Sequence, residues 1–197
     1  MVLEPMNDKV RSNSIWEGEI VELRAKTAED IPRYVADGVA DDMRLYGDGY
    51  VVFPASEATR SSINEKSLAY PIDDACNLAI ATLNGELIGA INATDCNPQS
   101  GNFEYGVSIF FEHRRKGYAL DAVRILLRYF FEERRYHRAT ARVYSFNAPS
   151  IKLQEQLGFQ LEGRQREMVF TKGERHDVLL FGITAFEFWR KWGKTET

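Results

Sequence analysis

Hydrophobic and polar residues alternate in several short stretches of the chain, which is the pattern of strands that bury one face. In the stretch 102–111, for example, Phe103, Tyr105 and Val107 alternate with Glu104 and Gly106. The alternation predicts strands over 19–24, 76–83, 86–94, 102–111, 138–145, 160–170 and 175–184.

Elsewhere apolar residues recur every three or four positions, the spacing of a helix with one buried face. The clearest such stretch runs from Ala119 to Phe131. Shorter helices are marked by end signals: Thr27 and Asp30 at the start of a helix reaching Gly38, Ser56 before a helix that ends by Pro71, and Asn147, Pro149 and Gly158 around 148–157. A last turn of helix is predicted over 186–192.

Asn84-Gly85 joins two strand-like stretches and predicts a two-residue type I′ hairpin turn. Counting back from that turn sets Cys76 opposite Ala93 rather than Cys96. The two cysteines are therefore expected to be free thiols and not a disulfide.

The elements follow the order β-α-α-β-β-β-α-β-α-β-β, which predicts a mixed α/β (α+β) chain whose middle sheet is antiparallel. A chain of 197 residues is long enough for one domain with a sizeable core. We expect an N-terminal arm over 1–18, a single domain over 19–192 and a tail over 193–197.

The charge balance changes the functional expectations. The chain has 25 Lys and Arg against 29 Asp and Glu, a formal charge of −4, which disfavours binding to nucleic acid. No apolar stretch approaches the roughly 20 residues needed to cross a bilayer, and the N-terminus lacks the apolar segment of a secretory signal. These features predict a cytoplasmic protein that does not insert into membranes.

One loop carries candidate binding chemistry. Arg114, Arg115 and Lys116 precede Gly117, directly before the strongest helix. Free backbone N–H groups at a helix start, the helix dipole and side-chain cations all favour an anion, and a pyrophosphate would suit this place. The alternative is an ordinary charged loop with a glycine in its turn.

Arg114-x-x-Gly117-x-Ala119 resembles the acetyl-CoA pyrophosphate loop of the GNAT N-acetyltransferases. Further matches to the branch of that family that acetylates ribosomal protein N-termini are Asn147-x-x-Ser150, Leu157-Gly158-Phe159, Glu162-Gly163, Gly173-x-x-x-Asp177 and Glu104-Tyr105-Gly106. The resemblance covers roughly residues 19–184. It implies the GNAT acyl-CoA N-acyltransferase fold, a mixed, mostly antiparallel sheet flanked by helices.

The resemblance also implies that acetyl-CoA is the cosubstrate. The pyrophosphate is expected on Arg114, Arg115, Lys116, Gly117, Tyr118 and Ala119. The pantetheine arm is expected between two splayed strands, on backbone groups of Ile109 and Phe111, and near Asn147 and Ser150. Asn147 and Ser150 also have a plain structural interpretation as a helix cap and a first-turn residue.

Acetyl transfer to an amine needs a base, a donor to the thioester carbonyl and support for the departing thiolate. The resemblance suggests Glu104 as the base, the Ile109 amide for the carbonyl and Ser150 for the thiolate. His176 is an alternative base. Many family members have a tyrosine acid where this chain has Gln154, which weakens the polyamine interpretation. No metal ligands are assigned.

The expected acceptor is a primary amine, first of all a protein or peptide N-terminus. Small amines such as polyamines, amino acids or antibiotics are the alternative, and so is an acyl-CoA-binding protein without catalysis. The segment from Asp37 to Pro54, rich in acidic and aromatic residues, is expected at the acceptor wall. Family analogy suggests a homodimer.

Overall fold

The computed structural model describes residues 14–37 and 56–193. Within these ranges the chain forms one sheet of seven strands in the order β1-β2-β3-β4-β5-β7-β6. The strands are β1 (Val21–Ala25), β2 (Cys76–Thr82), β3 (Leu87–Asn97), β4 (Asn102–Ile109), β5 (Arg138–Tyr144), β6 (Gln160–Thr171) and β7 (Glu174–Thr184). All neighbours pair antiparallel except β4 and β5, which are parallel. The predicted mixed, mostly antiparallel sheet is confirmed.

The described residues also form five α-helices: α1 (Ile31–Asp37), α2 (Glu57–Glu65), α3 (Tyr118–Glu132), α4 (Ala148–Leu157) and α5 (Ala185–Trp192). A 3-10 turn precedes α1 at Ala28–Asp30, another follows α2 at Lys66–Ala69, and a third lies at Phe111–His113. Across the described residues the elements follow the predicted order, and the bounds of α4 are those that its cap and stop residues indicate.

The core lies between α3 and the sheet. The ring of Phe103 on β4 stacks on that of Phe130 on α3, with centroids 4.1 Å apart, and Tyr136 packs edge-on against both. Leu126 and Leu127 are fully buried beside them. Burial of each such side chain stabilises the fold by about 1.5–3 kcal/mol, so this contact fixes the position of α3 on β4.

The hairpin between β2 and β3 differs from its prediction. Gly85 has φ 86°, but Asn84 is not in the left-handed region, and Thr82 N–H donates to the Glu86 carbonyl at 2.9 Å. The loop is therefore a three-residue turn with a bulge at Gly85, and the type I′ prediction is wrong. Cys76 nevertheless pairs with Ala93 as predicted, because a register shift between Ile80 and Ala81 compensates for the extra loop residue. Both cysteines are free.

Several strand ends also differ from their predictions, and the largest extension is in β3, which runs to Asn97, three residues past its predicted end. The Ile20 N–H donates to Asp121 of α3 at 2.8 Å rather than to a neighbouring strand, and β1 begins at Val21, two residues later than predicted. β4 ends at Ile109, because Phe110 N–H makes a last bond to the Ile88 carbonyl and the chain then turns. The predicted strand residue Phe111 therefore lies in the following 3-10 turn.

Both ends of the described chain pack on the domain. The Trp16 ring lies 4.3 Å from that of Tyr129 on α3, although the sequence assigned residue 16 to the predicted arm. At the other end, Phe188 of α5 is buried and the Trp192 indole donates to the Leu157 carbonyl at 3.0 Å. The aromatic residues of α5 thus cover the chain's own core, apart from the exposed Phe186.

Candidate active site

The central feature of the site is a gap in the sheet. β4 and β5 share three backbone pairs, of which the last joins Glu104 to Thr140. Beyond it, no pair joins 105–109 to 141–144 in this described part of the sheet. We call the space between these two segments the β4–β5 gap. Its open strand edges can accept an extended ligand as another strand would be accepted.

The backbone of Ile109 borders the gap. Residues along a strand direct their N–H groups to alternate edges, and Phe110 N–H donates to β3, so Ile109 N–H is directed toward the gap. The Ile109 carbonyl accepts from the Arg114 guanidinium at 3.2 Å. Arg114 is thus the one loop cation that contacts this strand end among the residues described.

Phe111 lies at the mouth of the gap. Its side chain is 67% exposed, and its backbone N–H lies close enough to the Asp37 carboxylate to lower the pKa of that group. Burial raises the pKa of Asp37, partly offset by the nearby Arg33 guanidinium. The backbone group that the sequence assigned to the pantetheine arm therefore lies beside a carboxylate in this structure.

The start of α3 is open to an anion. Gly117 precedes the helix with φ 84°, and it offers no side-chain cap. The N–H groups of residues 115–119 meet no acceptor in the described ranges, and Arg115 and Lys116 are exposed beside them. A helix start with free N–H groups and adjacent cations is suited to phosphate oxygens, so these residues fit the pyrophosphate that the resemblance implies.

The first turn of α3 also contains an acid, Asp121, which could oppose an anion. Its carboxylate accepts from the N–H groups of Ile20 and Val21 at 2.8 and 3.1 Å. A Cβ atom on Gly18 would lie 2.5 Å from the same carboxylate, so only glycine permits this approach. Asp121 therefore fastens β1 to α3, and its charge is satisfied away from the free N–H groups.

The start of α4 is capped by the side chain of Asn147. Asn147 Oδ1 accepts from Ser150 N–H at 3.1 Å, and Pro149 occupies a position that needs no donor. Ser150 is half-buried. Because α4 returns antiparallel to β5 after a short connection, its first turn lies near the open end of the gap.

One turn further along α4, Gln154 contacts β4. The Tyr105 hydroxyl donates to Gln154 Oε1 at 2.6 Å, and both side chains are buried. The strand alternation predicted a buried Tyr105, but nothing in the sequence indicates that Gln154 is its partner. Ser150 and Gln154 lie on the same face of the helix, since residues four apart align.

Glu104 lies on the opposite face of β4 from the core, as the alternation predicts. It is half-buried between Thr94 on β3 and Thr140 on β5. Burial raises the pKa of this carboxyl, and the Arg142 guanidinium on β5 opposes the shift. A carboxyl with a raised pKa is a stronger base than an ordinary glutamate, which suits removal of a proton from an amine.

His176, the alternative base, lies on β7 with its ring edge-on to Phe146 at 4.8 Å. Most of the predicted acceptor wall, residues 38–54, lies outside the described residues, and only its first member, Asp37, is placed. Within the described ranges there is no cluster of three or more metal-binding side chains, and no helix there is long and apolar enough to span a membrane.

Comparison with known proteins is consistent with this geometry. A family model described as an acetyltransferase (GNAT) domain matches residues 21–160. The chain is 37% identical over 173 residues to the SPbeta prophage-derived uncharacterized N-acetyltransferase YokL of Bacillus subtilis strain 168, covering 88% of this chain and 94% of YokL. It is 29% identical over 104 residues to the same organism's provisionally named ribosomal N-acetyltransferase YdaF, covering 53% of this chain and 57% of YdaF.

Solved structures give the same picture of the fold. A spermidine N-acetyltransferase from Vibrio cholerae in complex with CoA and spermine superposes with a TM-score of 0.74 at 21% identity, covering 85% of this chain and 97% of that chain. A GNAT-family acetyltransferase from Bacillus anthracis has a TM-score of 0.73 at 22% identity, covering 85% and 96%. At such identity the likeness establishes the architecture and leaves the acceptor open.

Proposed function

The chain belongs to the GNAT family of acetyltransferases, and from this premise we propose that it acetylates the N-terminal amine of a protein or peptide. It is an acetyl-CoA-dependent N-acetyltransferase. The acceptor class, the site residues and their roles are the proposed part.

In this proposal acetyl-CoA binds between the two helix starts. The free N–H groups at the start of α3 bind the pyrophosphate, with Arg115 and Lys116 adding charge. The pantetheine arm follows the open edge of β4, where Ile109 N–H is available. Arg114 releases the Ile109 carbonyl as the arm enters, since its guanidinium binds phosphate oxygen more strongly than a carbonyl.

Acetyl-CoA supplies an activated thioester, and the protein supplies position and proton transfer. Glu104 accepts the amine proton, directly or through water. Ile109 N–H polarises the thioester carbonyl, and the Ser150 hydroxyl supports the departing thiolate. Direct attack of the amine requires no covalent link to the enzyme.

The observation that carries the acceptor class is the charge beside the base. Among the described residues, the charged side chains that affect the pKa of Glu104 are Arg142 and the more weakly acting Asp95. A polyamine brings several ammonium groups and is favoured by several carboxylates, whereas Arg142 repels a second positive charge. A peptide N-terminus brings one amine, followed by a neutral backbone. The relative named as a ribosomal N-acetyltransferase, YdaF, agrees with this choice.

The test is release of CoA thiol from acetyl-CoA by the purified full chain. Separate pools contain peptides with free N-termini, polyamines, amino acids and aminoglycosides. A matched pool contains the same peptides with blocked N-termini and a free lysine, which separates N-terminal from side-chain acetylation. We expect release with the first peptide pool alone.

Two other outcomes overturn the proposal in different ways. Release with polyamines or another small-amine pool, and none with peptides, assigns the enzyme to small amines. Binding of acetyl-CoA without release in any pool indicates an acyl-CoA-binding protein that lacks catalysis.

A further inference from the structure

Arg142 lies on the same face of the sheet as Glu104, beside the β4–β5 gap. Glu104 pairs with Thr140, and Arg142 follows two residues later on β5, so its side chain is directed to the same side of the sheet. Its position is beyond the last pair between the two strands. The guanidinium therefore lies along the β5 edge of the gap, and Glu104 lies at the inner end.

The hydrogen-bond partner of Arg142 is a neutral side chain. One of its guanidinium nitrogens, Nη2, donates to Gln165 Oε1 of β6 at 3.3 Å. Among the residues that the structure describes, no carboxylate forms a hydrogen bond or an ion pair with Arg142, and it acts on Glu104 through its charge alone.

Two nearby arginines differ from Arg142 in this respect. Arg138, four residues earlier on β5, forms an ion pair with Glu162, and Arg164 on β6 forms one with Asp177. Arg142 is exposed. A neutral partner orients its guanidinium without neutralising the charge, so the remaining N–H donors can bind a carboxylate, for which the planar guanidinium is well shaped.

The position of Gln165 is itself fixed by the strands. The pairing of β6 with β7 is irregular between Gln165 and Val169, and Glu167 there has φ 56°. The Asp177 carboxylate of β7 accepts from the Glu167 N–H at 2.8 Å and so stabilises this bulge. Asp177 ends the Gly173-x-x-x-Asp177 motif, and its role in the structure is to hold the segment that begins at Gln165.

We propose that Arg142 binds a carboxylate of the acceptor, and that the enzyme prefers peptide N-termini with an acidic side chain at the first or second residue. The inference rests on the proposed function, because that proposal places the acceptor amine at Glu104. Diagonal neighbours on adjacent strands are within reach of a long side chain. A carboxylate one or two residues from the amine can therefore meet the guanidinium while the amine lies at the base.

A role limited to the base is the alternative for Arg142. Its charge opposes the rise in the pKa of Glu104, and that effect is the same for every acceptor. A contact with the acceptor instead discriminates between peptides. The ratio of kcat/KM for two peptides on one protein separates the two roles, because any change in the base cancels.

The test uses peptides that differ only at the first or the second residue, which is Asp, Asn or Arg. Each has a free N-terminus and no lysine, so the N-terminal amine is its only acceptor amine. CoA thiol release gives kcat/KM for the native full chain, Arg142→Gln and Arg142→Glu. Arg175→Gln is the matched control, because Arg175 is an exposed arginine of β7 whose guanidinium lies 5.7 Å from the Phe170 ring.

We expect the native protein to use the Asp peptide about fivefold better than the Asn peptide at low salt, at one of the two positions. The preference should disappear in Arg142→Gln and persist in Arg175→Gln. Arg142→Glu should favour the Arg peptide instead. In 1 M salt, where charges are screened within about 3 Å, the native preference should shrink.

Equal use of the Asp and Asn peptides by the native protein overturns the inference and leaves the proposed function intact. A preference for Asp that persists in Arg142→Gln also overturns it, because another residue then binds the carboxylate. If the native protein acetylates no peptide, the proposed function is wrong and the inference falls with it.

Discussion

The helices α3 and α4 both begin beside the β4–β5 gap, and they differ in whether a side chain caps their first N–H groups. Every α-helix begins with N–H groups that lack intrahelical partners. At α4, Asn147 covers one of them with its own side chain. At α3 the corresponding residue is Gly117, which has no side chain and leaves the start open.

The difference identifies the end that can receive an anion. Ser56 and Thr184 cap α2 and α5 much as Asn147 caps α4, so α3 is the exception among these described helices. The acid in its first turn, Asp121, bonds backbone N–H groups of β1 instead of its own helix. An open helix start beside exposed cations suits an anion, and this is the basis on which we propose that the pyrophosphate binds there.

The largest expected effect follows from closing that open start with negative charge. Gly117→Glu places bulk and a carboxylate where the pyrophosphate is proposed. Like charges in contact cost several kcal/mol, so acetyl-CoA affinity should fall by about 10³-fold, measured by calorimetry. Gly173→Glu is the matched control, because Gly173 has φ 83°, close to the 84° of Gly117, with nothing within 4 Å of an added Cβ.

Both variants strain a left-handed residue to a similar degree, so their melting temperatures should fall together. Retention of native affinity by a folded Gly117→Glu protein would show that the open helix start does not bind the cofactor.

The second-largest expected effect is on kcat alone, and it separates cosubstrate binding at the helix starts from catalysis by Glu104 on β4. Glu104→Gln removes the proposed base and should lower kcat by about 10²-fold, with acetyl-CoA affinity unchanged. Glu132→Gln, at the exposed end of α3, is the control and should retain native kcat.

The pH profile gives a second reading of the same residue. A base is active when deprotonated, so the rate should rise with pH through the pKa of Glu104, which burial raises above its ordinary value. Arg142→Gln removes the charge that lowers this pKa, and the rising limb should then move to higher pH. If the rising limb of the pH–rate profile is unchanged in Glu104→Gln, another residue is the base, and His176 is the first candidate.

A smaller effect tests whether the closed helix start also binds substrate. Asn147→Asp retains a side-chain acceptor for Ser150 N–H, since aspartate caps as well as asparagine, but it loses the amide donor. Acetyl-CoA affinity should fall by up to about tenfold if that donor meets the pantetheine arm. Stability should not change.

Asn147→Ala removes the cap as well. It should lower the free energy of unfolding by about 1 kcal/mol and the melting temperature by about 3 °C. If Asn147→Asp binds acetyl-CoA with native affinity and Asn147→Ala is less stable, then Asn147 only caps the helix and does not bind the cosubstrate.

The two helix starts also illustrate what the sequence can predict. The bounds of α4 follow from Asn147, Pro149 and Gly158, because each acts on its own backbone. The open start of α3 follows equally from Gly117 and its cations. The pairing of Tyr105 with Gln154 joins residues 49 positions apart, and it depends on how α4 packs against β4. No local pattern reports such packing.

The hairpin between β2 and β3 shows how a correct register can follow from an incorrect turn. Asn-Gly predicts a two-residue loop, and the structure has three residues with Gly85 in the left-handed region. The shift at Ile80 restores the pairing of Cys76 with Ala93. Core-facing residues of both strands require that pairing, so burial and not the turn determines the register.

The smallest expected effect concerns the exposed cations at the open start. Arg115→Ala should weaken acetyl-CoA binding about threefold at low salt, since an exposed charge contributes at most about 1 kcal/mol. The effect should nearly vanish in 1 M salt, where charges are screened within about 3 Å. Lys172→Ala is the matched control, because Lys172 is also an exposed cation with positive φ, 50° against 63° for Arg115. S-acetylpantetheine has no pyrophosphate, so the native protein, Arg115→Ala and Lys172→Ala should all bind it with the same affinity. If Arg115→Ala binds S-acetylpantetheine more weakly, Arg115 supports the fold and does not act on the phosphates.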